Sequence, residues 1–153
     1  MNKKTSSEQI NFLEQMIALS VDLHNLNANA QRLFDLSIVQ WLVLRKIINN
    51  PGISARNLAT TSGVHPSTIT PTLNRLDSMG LIFVFERSSD LRRKLIVASW
   101  KGFQCNEAME KSFIESVVNI PLEFQLLKNF EKISDIVAEI SKTWVSSPVL
   151  ESE

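Results

Sequence analysis

The sequence predicts a mainly α-helical chain interrupted by a single β-hairpin, and three observations predict it. Apolar residues recur at helical threes and fours along both ends of the chain. Two short helical runs meet at Gly63 in the middle. Two short apolar runs then flank one polar, basic stretch. With 153 residues, 44% apolar and 21% charged, the chain is long enough for one domain with its own core and too apolar for a disordered one.

The first segment reads as a long helix. Phe12, Met16, Leu19, Leu23, Leu26, Ala30 and Leu33 form one continuous stripe, and Ile10, Leu13, Ile17 and Val21 form a second beside it. An apolar surface this broad exceeds one contact. Either one face packs on its own domain and the other on a partner subunit, or the whole is a single wide core face.

Residues 37–49 form the next helix, with Ile38, Trp41, Leu42, Leu44, Ile47 and Ile48 apolar; the turn residues Asn49-Asn50-Pro51-Gly52 end it. Ser54 is a suitable N-cap for a short helix ending near Ser62, where Gly63 stops it. Pro66 suits the first turn of another helix, whose buried stripe is Ile69, Leu73 and Leu76 and which Gly80 ends. Residues 81–86 and 95–98 read as strands, joined by the polar tip Arg87-Ser88-Ser89-Asp90-Leu91-Arg92-Arg93-Lys94. Ser99 caps a helix through Phe103, Met109, Phe113, Val117 and Val118, with a break at Pro121. A last helix carries Leu126, Leu127, Phe130, Ile133, Val137, Ile140 and Trp144; Ser146-Ser147-Pro148 ends it, leaving a loose tail.

The net charge is zero, yet its distribution is uneven. Between Phe34 and Phe103 there are nine bases and four acids, a net +5, and the rest of the chain carries −5. Phosphate binding needs local positive charge, so the average excludes nothing. No apolar run is long enough to cross a bilayer, and no apolar stretch follows the basic start, so the expected location is the cytoplasm. Cys105 is the sole cysteine, which rules out an intrachain disulfide. His24 and His65 lie on different helices without clustered Cys or carboxylates, which argues against a metal site. No Gly-rich phosphate loop, nucleophile elbow or acid/base pair stands out; neither an enzyme nor a cofactor is expected.

The middle of the chain carries the informative spacing. Ala59 sits where two helix axes must approach closely. Gly63, four residues on, suits a turn with positive φ. Val64 plugs the corner, and Ile69 fills the space between the helices. This is a helix-turn-helix pattern, whose second helix can enter the major groove of DNA. A basic hairpin follows at once, which makes it a winged helix-turn-helix.

At this point the chain resembles the MarR family over nearly its whole length. Leu36-Ser37-x-x-Gln40 resembles the family's start of the second helix. Leu58-Ala59-x-x-x-Gly63-Val64 and Ser67-Thr68-Ile69-Thr70 resemble its helix-turn-helix. Leu73-x-x-Leu76-x-x-x-Gly80-Leu81-Ile82 resembles the run into the wing, Asp90-x-Arg92 the wing tip, and Ser99-x-x-Gly102 the start of the fifth helix. The resemblance implies six helices with a two-stranded wing, the N- and C-terminal helices making a homodimer. It implies an N-terminal dimerisation helix over 1–35, a DNA-binding domain over 36–100, C-terminal dimerisation helices over 101–147 and a tail over 148–153. The implied partner is double-stranded DNA with a near-palindromic operator, and repression is the commoner outcome in the family.

Chemistry assigns the DNA contacts. Ser67, Thr68 and Thr70 are short donors at the start of the recognition helix, suited to phosphates and base edges. Thr72, Asn74 and Arg75 lie further along, and Asn and Arg can read bases bidentately. In the resemblance, wing-tip Arg92 reaches towards the minor groove and Asp90 helps to hold it, with Arg87, Arg93 and Lys94 adding backbone charge. The family also implies a pocket for a small aromatic effector, for which His24, Trp41 and Trp100 are candidates, although packing is the commoner use of tryptophan.

Two departures qualify the resemblance. Phe83-Val84-Phe85 replaces the charged residues usual in the first wing strand, which removes phosphate contacts and suggests a rival reading: a winged module that binds protein and has lost DNA. Thr70-Pro71 resembles the branch containing peroxide sensors, but the first helix has no cysteine and the chain no tyrosine, so a redox sensor is not expected. Pro71 also removes an amide donor inside the recognition helix, with a kink expected there.

Overall fold

The computed structural model describes residues 3–87, 90–117, 129 and 132–139; the side chains of 3–7, 86–93 and 117 are outside that description. The elements run α1 (Lys3–Phe34), α2 (Ile38–Asn49), α3 (Ala55–Ser62), α4 (Pro66–Ser78), β1 (Ile82–Arg87), β2 (Asp90–Ala98) and α5 (Trp100–Val117). This is the winged helix-turn-helix that the sequence predicts. Residues 132–139, within the predicted last helix, are helical, and the remainder of that helix lies outside the described residues.

Local chemistry sets the helix starts. Ser37 makes a full capping box: its Oγ accepts the Gln40 amide at 3.1 Å, and its own amide donates to Gln40 Oε1 at 2.8 Å. Ser54 caps α3 by accepting the Asn57 amide at 3.2 Å. Gly63 closes α3 at φ 67°, a left-handed conformation that a side chain would oppose. The buried core is Leu36, Val43, Leu44, Ile47, Leu58, Ile69, Leu73, Leu76, Leu81, Ile82, Ile96 and Met109. It takes residues from α2, α3, α4, both strands and α5, so it fixes the helix-turn-helix and the root of the wing as one body. Each buried Leu or Ile contributes about 1.5–3 kcal/mol by leaving water.

The wing differs from its sequence reading in one respect. Phe83 pairs with Val97, Phe85 with Leu95, and Glu86 with Lys94, after which a register shift brings Arg87 opposite Asp90. The second strand therefore begins at Asp90, five residues before the predicted Leu95. The cause is pairing: ladder hydrogen bonds extend the strand through residues whose side chains show no apolar alternation. On its other side β2 meets the segment after α2, where Gly52 N donates to Ile96 O at 2.9 Å and Ile96 N to Ile53 O at 3.2 Å. That places β1 at the sheet edge.

The second stripe of α1 does not enter this core. Ile10, Leu13, Ile17 and Val21 are all exposed; in the first stripe Leu23, Leu26 and Leu33 are exposed too, Phe12, Met16 and Leu19 are half-buried, and Ala30 is half-buried against the core. Among the described residues no helix is long and apolar enough to cross a membrane.

Candidate nucleic-acid interface

An α-helix turns once in about 3.6 residues, so one side of α4 must face the core and the other must face out. Ile69, Thr72, Leu73 and Leu76 are buried. Ser67, Thr68, Thr70, Pro71, Asn74, Arg75 and Ser78 are exposed. The outward row is therefore Ser67, Thr70, Pro71, Asn74 and Ser78, with Thr68 and Arg75 on one flank. Helix α4 runs through Pro71 without interruption, and the proline ring lies in the middle of the outward face.

Five of the six residues expected to touch DNA from this helix share that exposed side. Thr72 is the correction. At 4% exposure it belongs to the buried row, three residues after Ile69 and four before Leu76, and its hydroxyl has no route to a groove. The helical spacing of the apolar stripe itself puts Thr72 on the buried side.

His65, which the sequence raises only as a metal ligand, has another role. It is the N-cap of α4: Nδ1 accepts the Ser67 amide at 3.3 Å and lies 2.6 Å from Ser67 Oγ. As an acceptor, Nδ1 leaves the ring proton on Nε2. The Ser67 hydroxyl is thus engaged by His65 in the free chain. The position just before Pro66 was the available clue, because proline favours the first helical position and the residue before it is the cap. At the other end Lys101 Nζ donates to Met79 O at 2.7 Å, placing a cation at the carbonyl end of α4.

Arg75 Nη2 lies 2.6 Å from Asp35 Oδ2, an ion pair between α4 and the residue after α1. In the wing, the backbones of Arg87, Asp90, Arg92 and Arg93 lie on the two paired strands, while their side chains fall outside the described residues; Lys94 is exposed. The outward face of the wing is apolar near its root, with Phe83 53% and Phe85 54% exposed and their ring centroids 6.3 Å apart.

The three effector candidates have different surroundings. Trp41 Nε1 donates to Asn106 Oδ1 at 2.9 Å, and its ring lies 6.1 Å from that of Phe113. Trp100 is 76% exposed, and His24 is exposed on α1. Two open grooves flank α3, one of about 450 Å³ beside Asn50, Gly52, Asn57 and Thr61, the other of about 430 Å³ beside Arg56, Ala59, Ile69 and Thr70; neither is lined by those three residues. Burial pushes the Cys105 thiol above its usual pKa, with Lys101 opposing the shift in part. Among the described residues no His, Cys, Asp and Glu side chains group as a metal site would need.

Residues 36–94, from just before α2 to within β2, match the model of the MarR family. No curated protein matches the chain. Several solved structures do. Sco3205, a MarR family transcriptional regulator from Streptomyces coelicolor solved in complex with DNA, superposes with a TM-score of 0.73 at 21% identity, over 88% of this chain and 87% of that one. MarR superposes at 0.60 with 25% identity, over 84% and 98%. CouR from Rhodococcus jostii RHA1, bound to p-coumaroyl-CoA, superposes at 0.64 with 23% identity, over 86% and 93%. The helix-turn-helix and wing thus match the MarR family model, and the fold along most of the chain is the one these solved regulators share.

Proposed function

We propose that the chain is a homodimeric, sequence-specific regulator of transcription that acts in the cytoplasm, laying α4 in the major groove of a near-palindromic operator and the wing tip against the neighbouring minor groove. One observation carries the reading: α4 turns a row of small polar side chains and an arginine outward while the apolar row holds the helix in the core. Ser67, Thr68 and Thr70 meet phosphates near the helix start, where amide dipoles favour an anion, and Asn74 reads a base edge. Arg87, Arg92, Arg93 and Lys94 supply charge from the wing, with Asp90 orienting Arg92. The DNA complex of Sco3205 supports the docking mode by likeness of fold.

The exposed stripe Ile10, Leu13, Ile17 and Val21 supports a dimer, because apolar residues in register along three turns are costly in water. Residues 1–35 and 101–147 serve as its dimerisation helices and 36–100 as its reading head. Two heads then sit roughly 34–36 Å apart, one turn of duplex. Repression follows by excluding polymerase from the bound site. A small aromatic effector, of the kind that CouR binds as its coumaroyl thioester, is the signal this reading expects near His24, Trp41 and Trp100.

Repeated selection of duplexes from a random-sequence pool tests the proposal. Enrichment of one inverted repeat with half-sites a helical turn apart supports it, and a pool that stays random refutes it. A second reading draws on Phe83 and Phe85: their exposed rings, with Leu95 across the ladder, fit a winged module that binds protein in place of DNA. The same selection separates the two.

A further inference from the structure

Asp35 occupies a place that local physics disfavours twice. It follows α1 directly with φ 57°, the one left-handed residue other than glycine among the described residues. A helix that ends in that conformation ordinarily uses glycine or asparagine. A carboxylate there also faces the negative end of the helix dipole. What offsets both lies forty residues along the chain, where Arg75 Nη2 donates to Asp35 Oδ2 at 2.6 Å.

The partner is the cation on the flank of the outward row of α4, one residue after Asn74. The side chains of the pair stay open to solvent, Arg75 at 44% and Asp35 at 76% exposure. A guanidinium presents a planar fork that suits carboxylate and phosphate oxygens alike. Asp35 thus occupies with a carboxylate oxygen a guanidinium fork that suits a phosphate equally.

We infer that Asp35 is a built-in competitor for the DNA phosphate that Arg75 grips, and that it lowers affinity for duplex of every sequence without changing which sequence is preferred. This rests on the DNA-binding reading above and assigns Asp35 a role within it. In the free chain the Arg75 charge is neutralised by Asp35 rather than by solution ions. When Arg75 turns to phosphate, the carboxylate is left to recruit a cation, which offsets part of the counterion release that drives binding.

Asp35→Asn removes the charge and keeps a residue that tolerates positive φ. Anisotropy titrations of the full chain, with a labelled duplex taken from the selected pool and an unrelated duplex of equal length, read the effect. Asp35→Asn tightens binding to both duplexes by roughly two- to fivefold per half-site at low salt, the range of an exposed ion pair. It also steepens the salt slope by up to about 0.9 per protomer. Asp35→Gly, which suits the backbone better, gives the same gain, so poor folding of one variant does not decide the matter. In an Arg75→Gln background the gain from Asp35→Asn shrinks markedly.

Unchanged or weaker binding by both Asp35 variants, or an equal gain with and without Arg75, overturns the competition. Wild-type chain that binds neither duplex at any salt overturns the DNA-binding reading instead.

Discussion

Gly102, in the first turn of α5, packs its bare α-carbon against the backbone carbonyl of Leu81 at the root of the wing. A methyl group built there collides with the Leu81 carbonyl oxygen and comes within 3.4 Å of Leu44 Cδ1. Backbone cannot move aside as a flexible side chain can. Gly102→Ala therefore loses about 1–3 kcal/mol from overpacking, more than the helix propensity that alanine gains. Chemical denaturation measures it as a lowered midpoint.

Ser99 ties the same junction with hydrogen bonds. Its Oγ donates to Gly80 O at 2.6 Å and accepts the Gly102 amide at 3.0 Å, and the residue is 5% exposed. Removing the hydroxyl leaves a buried amide unpaired, which costs about 1–3 kcal/mol. Ser99→Ala should lower the melting temperature, and Ser99→Thr, which keeps the hydroxyl, should lower it less.

Asn74 and Thr72 differ by two residues and by the side of α4 they occupy. Asn74→Ala should cost about 1–3 kcal/mol in binding to the selected duplex and leave the melting temperature unchanged. Thr72→Ala should do the reverse, lowering stability and leaving affinity for DNA intact once the variant is folded. Parallel melts and titrations of the two proteins check this.

Much of this was legible in short-range chemistry. Ser37 with Gln40, Ser54 before Ala55, and Gly63 four residues after Ala59 each act within a few positions, so the sequence displays them directly. The extent of β2 was not legible, since Asp90 to Lys94 join a strand only because β1 lies beside them. Nor was the Asp35–Arg75 pair, whose members meet through the packing of α1, α2 and α4. The outward row of α4 was legible from period alone, and the same period puts Thr72 on the buried side with Ile69 and Leu76.

Cys105 is half-buried, and desolvation pushes its thiol above its usual pKa. Alkylation of the native chain at pH 7 should be slower than that of the chain in denaturant. The rate should climb as pH rises past the range of an ordinary thiol, because the thiolate forms later in the folded state. Thiol-reactive absorbance probes follow both.

The most direct test is the salt dependence of duplex binding by the purified full chain. If α4 and the wing grip DNA from two protomers, the logarithm of the association constant falls linearly with the logarithm of salt concentration, with about 0.9 in slope for each phosphate contact. Binding that ignores salt, or no binding to duplex at all, would contradict it and leave the exposed phenylalanines of the wing as the better guide to a partner.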